Sequence, residues 1–221
     1  MAYILCIETS TTNCSVALTH DDKVIALEED YSLQYSHAER LHNFIYKVIK
    51  DAGLSLKDLS AIAVSKGPGS YTGLRIGVSA AKGLCYALEI PLLSVSTLYS
   101  LALQIEIKEE NTYIVPMLDA RRMEVYAAVF SNQYEQVRET KAEVLAEHSF
   151  SEYMENKKVY FIGNGVEKFS AICKNDNAIF IEDKLPSAKE MAIISFSKYK
   201  KEDFEDVSYF EPYYLKDFVT N

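Results

Sequence analysis

Five of the eight glycines in this chain of 221 residues fall between Gly67 and Gly83, within Gly67-Pro68-Gly69-Ser70-Tyr71-Thr72-Gly73-Leu74-Arg75-Ile76-Gly77 and the residues that follow it. No other feature constrains the fold as strongly. The apolar run Ala61-Ile62-Ala63-Val64 leads straight into the glycines, and a helix-forming run leads away from them. Gly67 and Gly69 flank Pro68 and supply a tight turn, and Thr72 is placed to cap a helix beginning near Gly73. The order is therefore strand, glycine loop, helix. Within that helix each glycine costs about 1 kcal/mol relative to alanine, so Gly73, Gly77 and Gly83 need a reason. Two reasons compete. A loop at a helix N-terminus can cradle an anion with its backbone N–H groups, and a small-residue face lets another backbone come close. The loop lacks the lysine and spacing of a Walker P-loop, and it does not match G-x-G-x-x-G.

The bulk composition limits the partners. With 23 Lys and Arg against 32 Asp and Glu, the net charge is −9 and the sequence pI near 5.0, which argues against a protein that grips nucleic acid unaided. Any nucleic acid should be held through a partner. The N-terminal Met1-Ala2-Tyr3-Ile4-Leu5-Cys6 runs directly into a strand-like segment without a basic leader, and no run of about 18 apolar residues follows, so a soluble, cytoplasmic protein is expected. Cys6, Cys14, Cys85 and Cys173 form no C-x-x-C pair, three of them sit in apolar segments, and buried reduced thiols are expected.

Along the chain, Tyr3 to Thr9, Cys14 to Thr19 and Lys23 to Tyr31 read as three strands, the first two joined by the polar connection Ser10-Thr11-Thr12-Asn13. Ser36-His37-Ala38-Glu39 has the form of a capping box, and Leu41, Phe44, Ile45, Val48, Ile49 and Ala52 then recur at helical spacing until Gly53. The glycine unit follows, then a strand from Leu92 to Val95 and a helix from Ser96 to Glu106. After the polar break at residues 108–112 the order restarts. Strands are expected at Tyr113 to Leu118, Met123 to Phe130, Tyr134 to Thr140, Lys158 to Ile162 and Ala178 to Ile181. Helices are expected at Ser149 to Glu155 and Val166 to Cys173, and a final one from a second capping box at Ser187-Ala188-Lys189-Glu190 to Lys201. Both halves, residues 1–107 and 108–221, can be written β-β-β-α-β-α-β-α, an α/β architecture with helices flanking a mixed sheet. The last helix and the aromatic segment Tyr209 to Leu215 must pack back on the body, the first half being one place for them.

Read together, Ile7-Glu8-Thr9-Ser10, Ser36 to Leu41, the long glycine motif, Asp119-Ala120-Arg121-Arg122-Met123-Glu124-Val125-Tyr126, Leu185-Pro186-Ser187-Ala188 and Glu211-Pro212-Tyr213-Tyr214-Leu215 resemble the bacterial TsaB (YeaZ) family, in order and over most of the chain. The resemblance implies an actin-like, Hsp70-like ATPase (ASKHA) fold with two ribonuclease-H-like halves. It also implies a part in attaching a threonylcarbamoyl group to N6 of adenosine 37 of tRNA. In that family the catalytic paralogue is TsaD and an ATPase, TsaE, is the third member, with tRNA met only through the complex; for the chain alone, homodimer and monomer both stay open. The expected partner interface comprises His37, Arg40, Leu41, Phe44, Ile45, Val48, Gly73, Ile76, Gly77, Ala80 and Ala81.

The resemblance also raises the question of catalysis. Where the paralogue carries its pair of metal-binding histidines, this chain has Thr97 and Leu101. A leucine and one hydroxyl do not replace two imidazoles. His37 and His42, five apart on a helix, point about 140° away from each other, H-E-x-x-H is absent, and His20 and His148 read as surface residues. No metal and no catalytic residue are expected. In related folds the turns at the start of each half face nucleotide. The candidate nucleotide or anion loop is therefore Glu8, Ser10, Thr11, Thr12, Gly67, Gly69, Ser70 and Thr72 with Asp119, Arg121 and Arg122, and Gly163-Asn164-Gly165 on the adenine side, binding ATP or ADP with Mg²⁺ at or near the partner interface. A stand-alone ATPase or phosphotransferase is the alternative reading, and a glycoprotease-type peptidase the third.

Overall fold

The computed structural model describes residues 1–31, 37–107 and 109–216. Two compact units emerge, one of Met1–Ser100 with Pro186–Tyr214 and one of Leu101–Leu185 with the described residues after Tyr214.

In the first unit, β1 (Tyr3–Glu8), β2 (Cys14–His20) and β3 (Lys23–Asp30) form an antiparallel meander. Helix α1 (His37–Asp51) leads to β4 (Ala61–Gly67), α2 (Tyr71–Leu88), β5 (Leu92–Ser96) and the short α3 (Thr97–Ala102). The strand order is β3-β2-β1-β4-β5, with β4 parallel to both β1 and β5. The strand period of two divides β1 between two cores. Leu5 and Ile7 face α1 and α2, where Leu41, Ile45, Val48, Val78, Ala81 and Cys85 complete one buried cluster. Ile4 and Cys6 face the other side, covered by Met191 and Ile194 of a helix from the far end of the chain.

In the second unit, β6 (Tyr113–Asp119), β7 (Glu124–Ser131) and β8 (Gln136–Val144) repeat the meander, followed by β9 (Val159–Ile162), α4 (Val166–Ser170) and β10 (Ala178–Ile181). The order β10-β9-β6-β7-β8 is that of the first sheet, read from the other edge. Phe150, Phe161, Phe169 and Phe180 stack edge-to-face and offset beneath it. The last helix, α5 (Met191–Lys200), belongs to the first unit.

Several expected boundaries move. The helix drawn to Glu106 ends at Ala102, where Gln104 and Ile105 tighten into i→i+3 turns on Leu101 and Ala102. The segment Ser149 to Glu155 keeps a single 3₁₀ turn, Ser151–Tyr153, and the helix drawn to Cys173 is α4 alone. The second capping box does not form: Ser187 Oγ accepts from the nearby Lys189 N at 3.0 Å, and α5 starts only at Met191, without a side-chain cap. The first capping box rests on Ser36, which lies outside the described residues. His20 is half-buried and stacks on Tyr3, while His148 is exposed.

Candidate functional site

The glycine loop closes on its own chain. Its helix begins at Tyr71, two residues earlier than the sequence placed it, and Ser70 rather than Thr72 is the N-cap, accepting from Gly73 N at 3.3 Å. A Cβ on Gly67, whose φ is +107°, would sit 2.9 Å from Tyr213 O; one on Gly69, 2.5 Å from Ser10 O; one on Gly73, 2.1 Å from Thr9 O; and one on Gly77, 2.3 Å from Thr9 Oγ1. Thr9 donates to Gly73 O at 2.8 Å, Ser70 N donates to Ser10 O at 2.7 Å, and Tyr213 N donates to Lys66 O at 2.7 Å. The glycines thus hold Thr9 and Ser10 on one side and Tyr213 on the other.

This corrects the expected interface. Gly73 and Gly77 are buried against Thr9, and Ile45, Val48 and Ala81 are core residues of the first unit, turned away from the surface, while Leu41, also of that core, shows only at the floor of a groove. His37 is buried as well, donating from Nε2 to Thr11 O at 2.7 Å. Burial holds its pKa below the ordinary histidine value, opposed by that hydrogen bond and by Asp30. Arg40 is exposed, and Phe44, Ile76 and Ala80 are half-buried. The accessible surface is a groove of about 740 Å³ between α1 and α2, floored by Leu41, Ile76, Ala80 and Leu84 and reaching Arg75 and Gly83. Gly83 opens onto empty space. Arg75 was missed by sequence reasoning, although it stands inside the recognised motif.

Of the candidate anion residues of this unit, Glu8, Ser10 and Thr11 are buried. Glu8 is 0% exposed, with Oε1 accepting from Ser10 N at 2.7 Å and Ser65 Oγ at 2.8 Å. Ser65 reaches it because β1 and β4 pair in parallel with Ile7 beside Val64. Burial pushes the Glu8 carboxyl above its ordinary value of 4.5, against the pull of the Ser10 and Ser65 hydroxyls and the amides of Ser10 and Thr9. Thr11 accepts at its hydroxyl from Asn13 N at 3.4 Å, Thr12 is half-buried and Thr72 is exposed.

A raised folded pKa means that the folded state binds more protons than the unfolded chain. The stability Glu8 contributes is full below its ordinary value and is lost as pH rises through the folded one. Glu8→Gln keeps an acceptor for Ser10 and Ser65 without the ionisation. In urea titrations from pH 4 to pH 8 it is expected to gain on the wild type as pH rises; a constant difference across that range refutes the assignment.

The second unit repeats the arrangement. A Cβ on Gly163 would lie 2.2 Å from Met117 O, and one on Gly165 would lie 3.1 Å from the carbonyl carbon of Leu118. Asn164 Oδ1 accepts from Asp119 N at 3.0 Å. Asp119 Oδ1 accepts from Lys168 Nζ at 2.5 Å and Arg121 N at 2.7 Å, and Glu124 pairs with Lys216. Arg121 and Arg122 take positive φ in the hairpin that this network closes. Glu8 is thus sealed in the first unit, Asp119 is paired with Lys168 in the second, and Gly67, Gly69, Gly73 and Gly163 each face a backbone carbonyl of their own unit.

Thr97 and Leu101 are fully buried. Among the described residues no three His, Cys, Asp or Glu side chains come together as a metal cluster. Burial pushes the thiols of Cys6, Cys14 and Cys85 up to about 12, far from thiolate chemistry at neutral pH. No helix among the described residues is long and apolar enough to cross a membrane.

Two sheets with the same strand order, each carrying a glycine loop against the end of its first strand, define a duplicated α/β protein of the actin-like ASKHA class. The activator of 2-hydroxyisocaproyl-CoA dehydratase from Clostridium difficile shares that fold, with a TM-score of 0.50 at 12% identity over 91% of this chain and 96% of its own. The family model for TsaD, tRNA N6-adenosine threonylcarbamoyltransferase, matches residues 32–221. The Escherichia coli tRNA threonylcarbamoyladenosine biosynthesis protein TsaB is 31% identical over 98% of this chain and 95% of its own length. A Pseudomonas aeruginosa protein with similarity to peptidase YEAZ superposes with a TM-score of 0.83 at 26% identity, covering 98% of this chain and 100% of that one. The chain belongs to the TsaB (YeaZ) family of the TsaD-like superfamily.

Proposed function

We propose that this chain serves tRNA threonylcarbamoyladenosine biosynthesis as the non-catalytic partner of a TsaD-like threonylcarbamoyltransferase, docking through the groove between α1 and α2. The observation that carries this reading is the groove itself, in a chain of the TsaB family: an apolar floor of Leu41, Ile76, Ala80 and Leu84 between two helices, with Gly83 open beside it. Its want of chemistry elsewhere agrees. The positions of the paralogue's histidines hold a buried hydroxyl and a buried leucine, and the loops that face nucleotide in related folds are closed on the fold. The net charge of −9 leaves tRNA to be held by the assembly, in the cytoplasm, with a TsaE-like ATPase as its third member. The chain needs no cofactor of its own.

Depletion of the chain in its own organism, followed by mass analysis of tRNA nucleosides, is expected to remove threonylcarbamoyladenosine. A normal level after complete depletion, with no second copy of the gene, overturns the assignment.

A further inference from the structure

The charge distribution of the groove singles out one residue. The chain carries 32 acidic side chains, yet among the described residues the lining contains no Asp or Glu, and its one fixed charge is Arg75. That guanidinium is held before any partner arrives. Its carbon lies 4.1 Å from the centre of the Tyr71 ring, and its Nε donates to Tyr214 Oη at 3.2 Å. The Tyr71 and Tyr214 rings are themselves 4.9 Å apart, and the backbone bond from Tyr213 N to Lys66 O fixes the segment that brings Tyr214 there. One face and one nitrogen of the planar group are thereby used. The two terminal nitrogens form no ion pair with a described residue, Glu211 acting on Arg75 only at longer range.

We propose that Arg75 is the polar anchor of the groove, positioned by Tyr71 and Tyr214 to take the carboxylate of an aspartate or glutamate on the partner's docking helix, and that this makes the groove select a heteromeric partner over a second copy of this chain. This rests on the functional reading above. A guanidinium fork meets a carboxylate through two parallel N–H bonds, and one ordered in advance loses little freedom when it does so. An isologous contact would instead bring each Arg75 against a lining whose described residues offer no carboxylate.

The test uses the full chain and the TsaD-like paralogue of the same organism, with affinity by calorimetry and self-association by sedimentation. Arg75→Glu is expected to weaken heteromeric binding by about 30-fold or more, the cost of reversing a charge in an interface pair. Arg75→Lys, which keeps the charge without the fork, should lose about tenfold. Tyr214→Phe should lose severalfold, with a melting temperature equal to that of the wild type. Self-association should stay unchanged or tighten in Arg75→Glu. Wild-type binding together with an unaffected Arg75→Glu overturns this inference alone, and so does a parallel loss of both associations. A wild-type chain that fails to bind the paralogue overturns the functional reading and the inference with it.

Discussion

Gly73→Ala is expected to cost about 3 kcal/mol or more, a large share of the stability of a domain of this size. A methyl group there would stand 2.1 Å from the carbonyl oxygen of Thr9, and neither backbone can yield: one is the first turn of α2, the other the end of the central strand β1. The same carbonyl region receives Ser70 N through Ser10 O, so relief by moving the β1–β2 turn breaks a second contact. Gly77→Ala meets a different atom, the Thr9 hydroxyl at 2.3 Å. A side chain can be removed, and this makes a discriminating pair of double mutants. Thr9→Ala should recover most of the loss in Gly77→Ala and little of the loss in Gly73→Ala, measured by urea denaturation of all the single and double variants. Equal recovery in both pairs would show that the glycines do not face Thr9 as described.

That result bears on how much the sequence discloses. The two sheets were legible because apolar runs of strand length recur twice in the same order, and the helix Leu41 to Ile49 because its apolar spacing is helical throughout. Short elements were less so. In α4, only Val166 and Phe169 are buried, too few to set a period, and Ser187 had a nearer donor than the helix start it was expected to cap. The candidate site was legible as a motif and misread in direction. On α2, Gly73, Gly77 and Ala81 make one small-residue stripe, and Ile76, Ala80 and Gly83 make its neighbour. Which stripe faces inward is decided by Thr9, more than sixty positions away, and no periodicity within the helix carries that information. For the same reason Glu8 reads as a metal ligand in sequence and proves to be a sealed carboxylate, because Ser65 reaches it through strand register.

The outward stripe then provides the cleaner test of docking. Gly83→Leu is expected to leave the chain folded and more stable by up to about 1 kcal/mol, since it replaces a helical glycine by a strong helix former. Its Cβ would meet nothing within contact distance in the isolated chain, and its φ is not in the left-handed region. In the assembly the added side chain enters the groove beside Ala80 and Leu84, where a partner helix packed at close range has no room for it. Affinity for the TsaD-like paralogue should therefore fall by about 10- to 100-fold while the melting temperature rises slightly, a combination that no loss of folding can imitate. Gly77→Leu should do the reverse, lowering the melting temperature and taking binding down only with it. If instead Gly83→Leu binds as the wild type does and Gly77→Leu loses binding while remaining folded, the partner lies on the other stripe and the groove is not the docking surface.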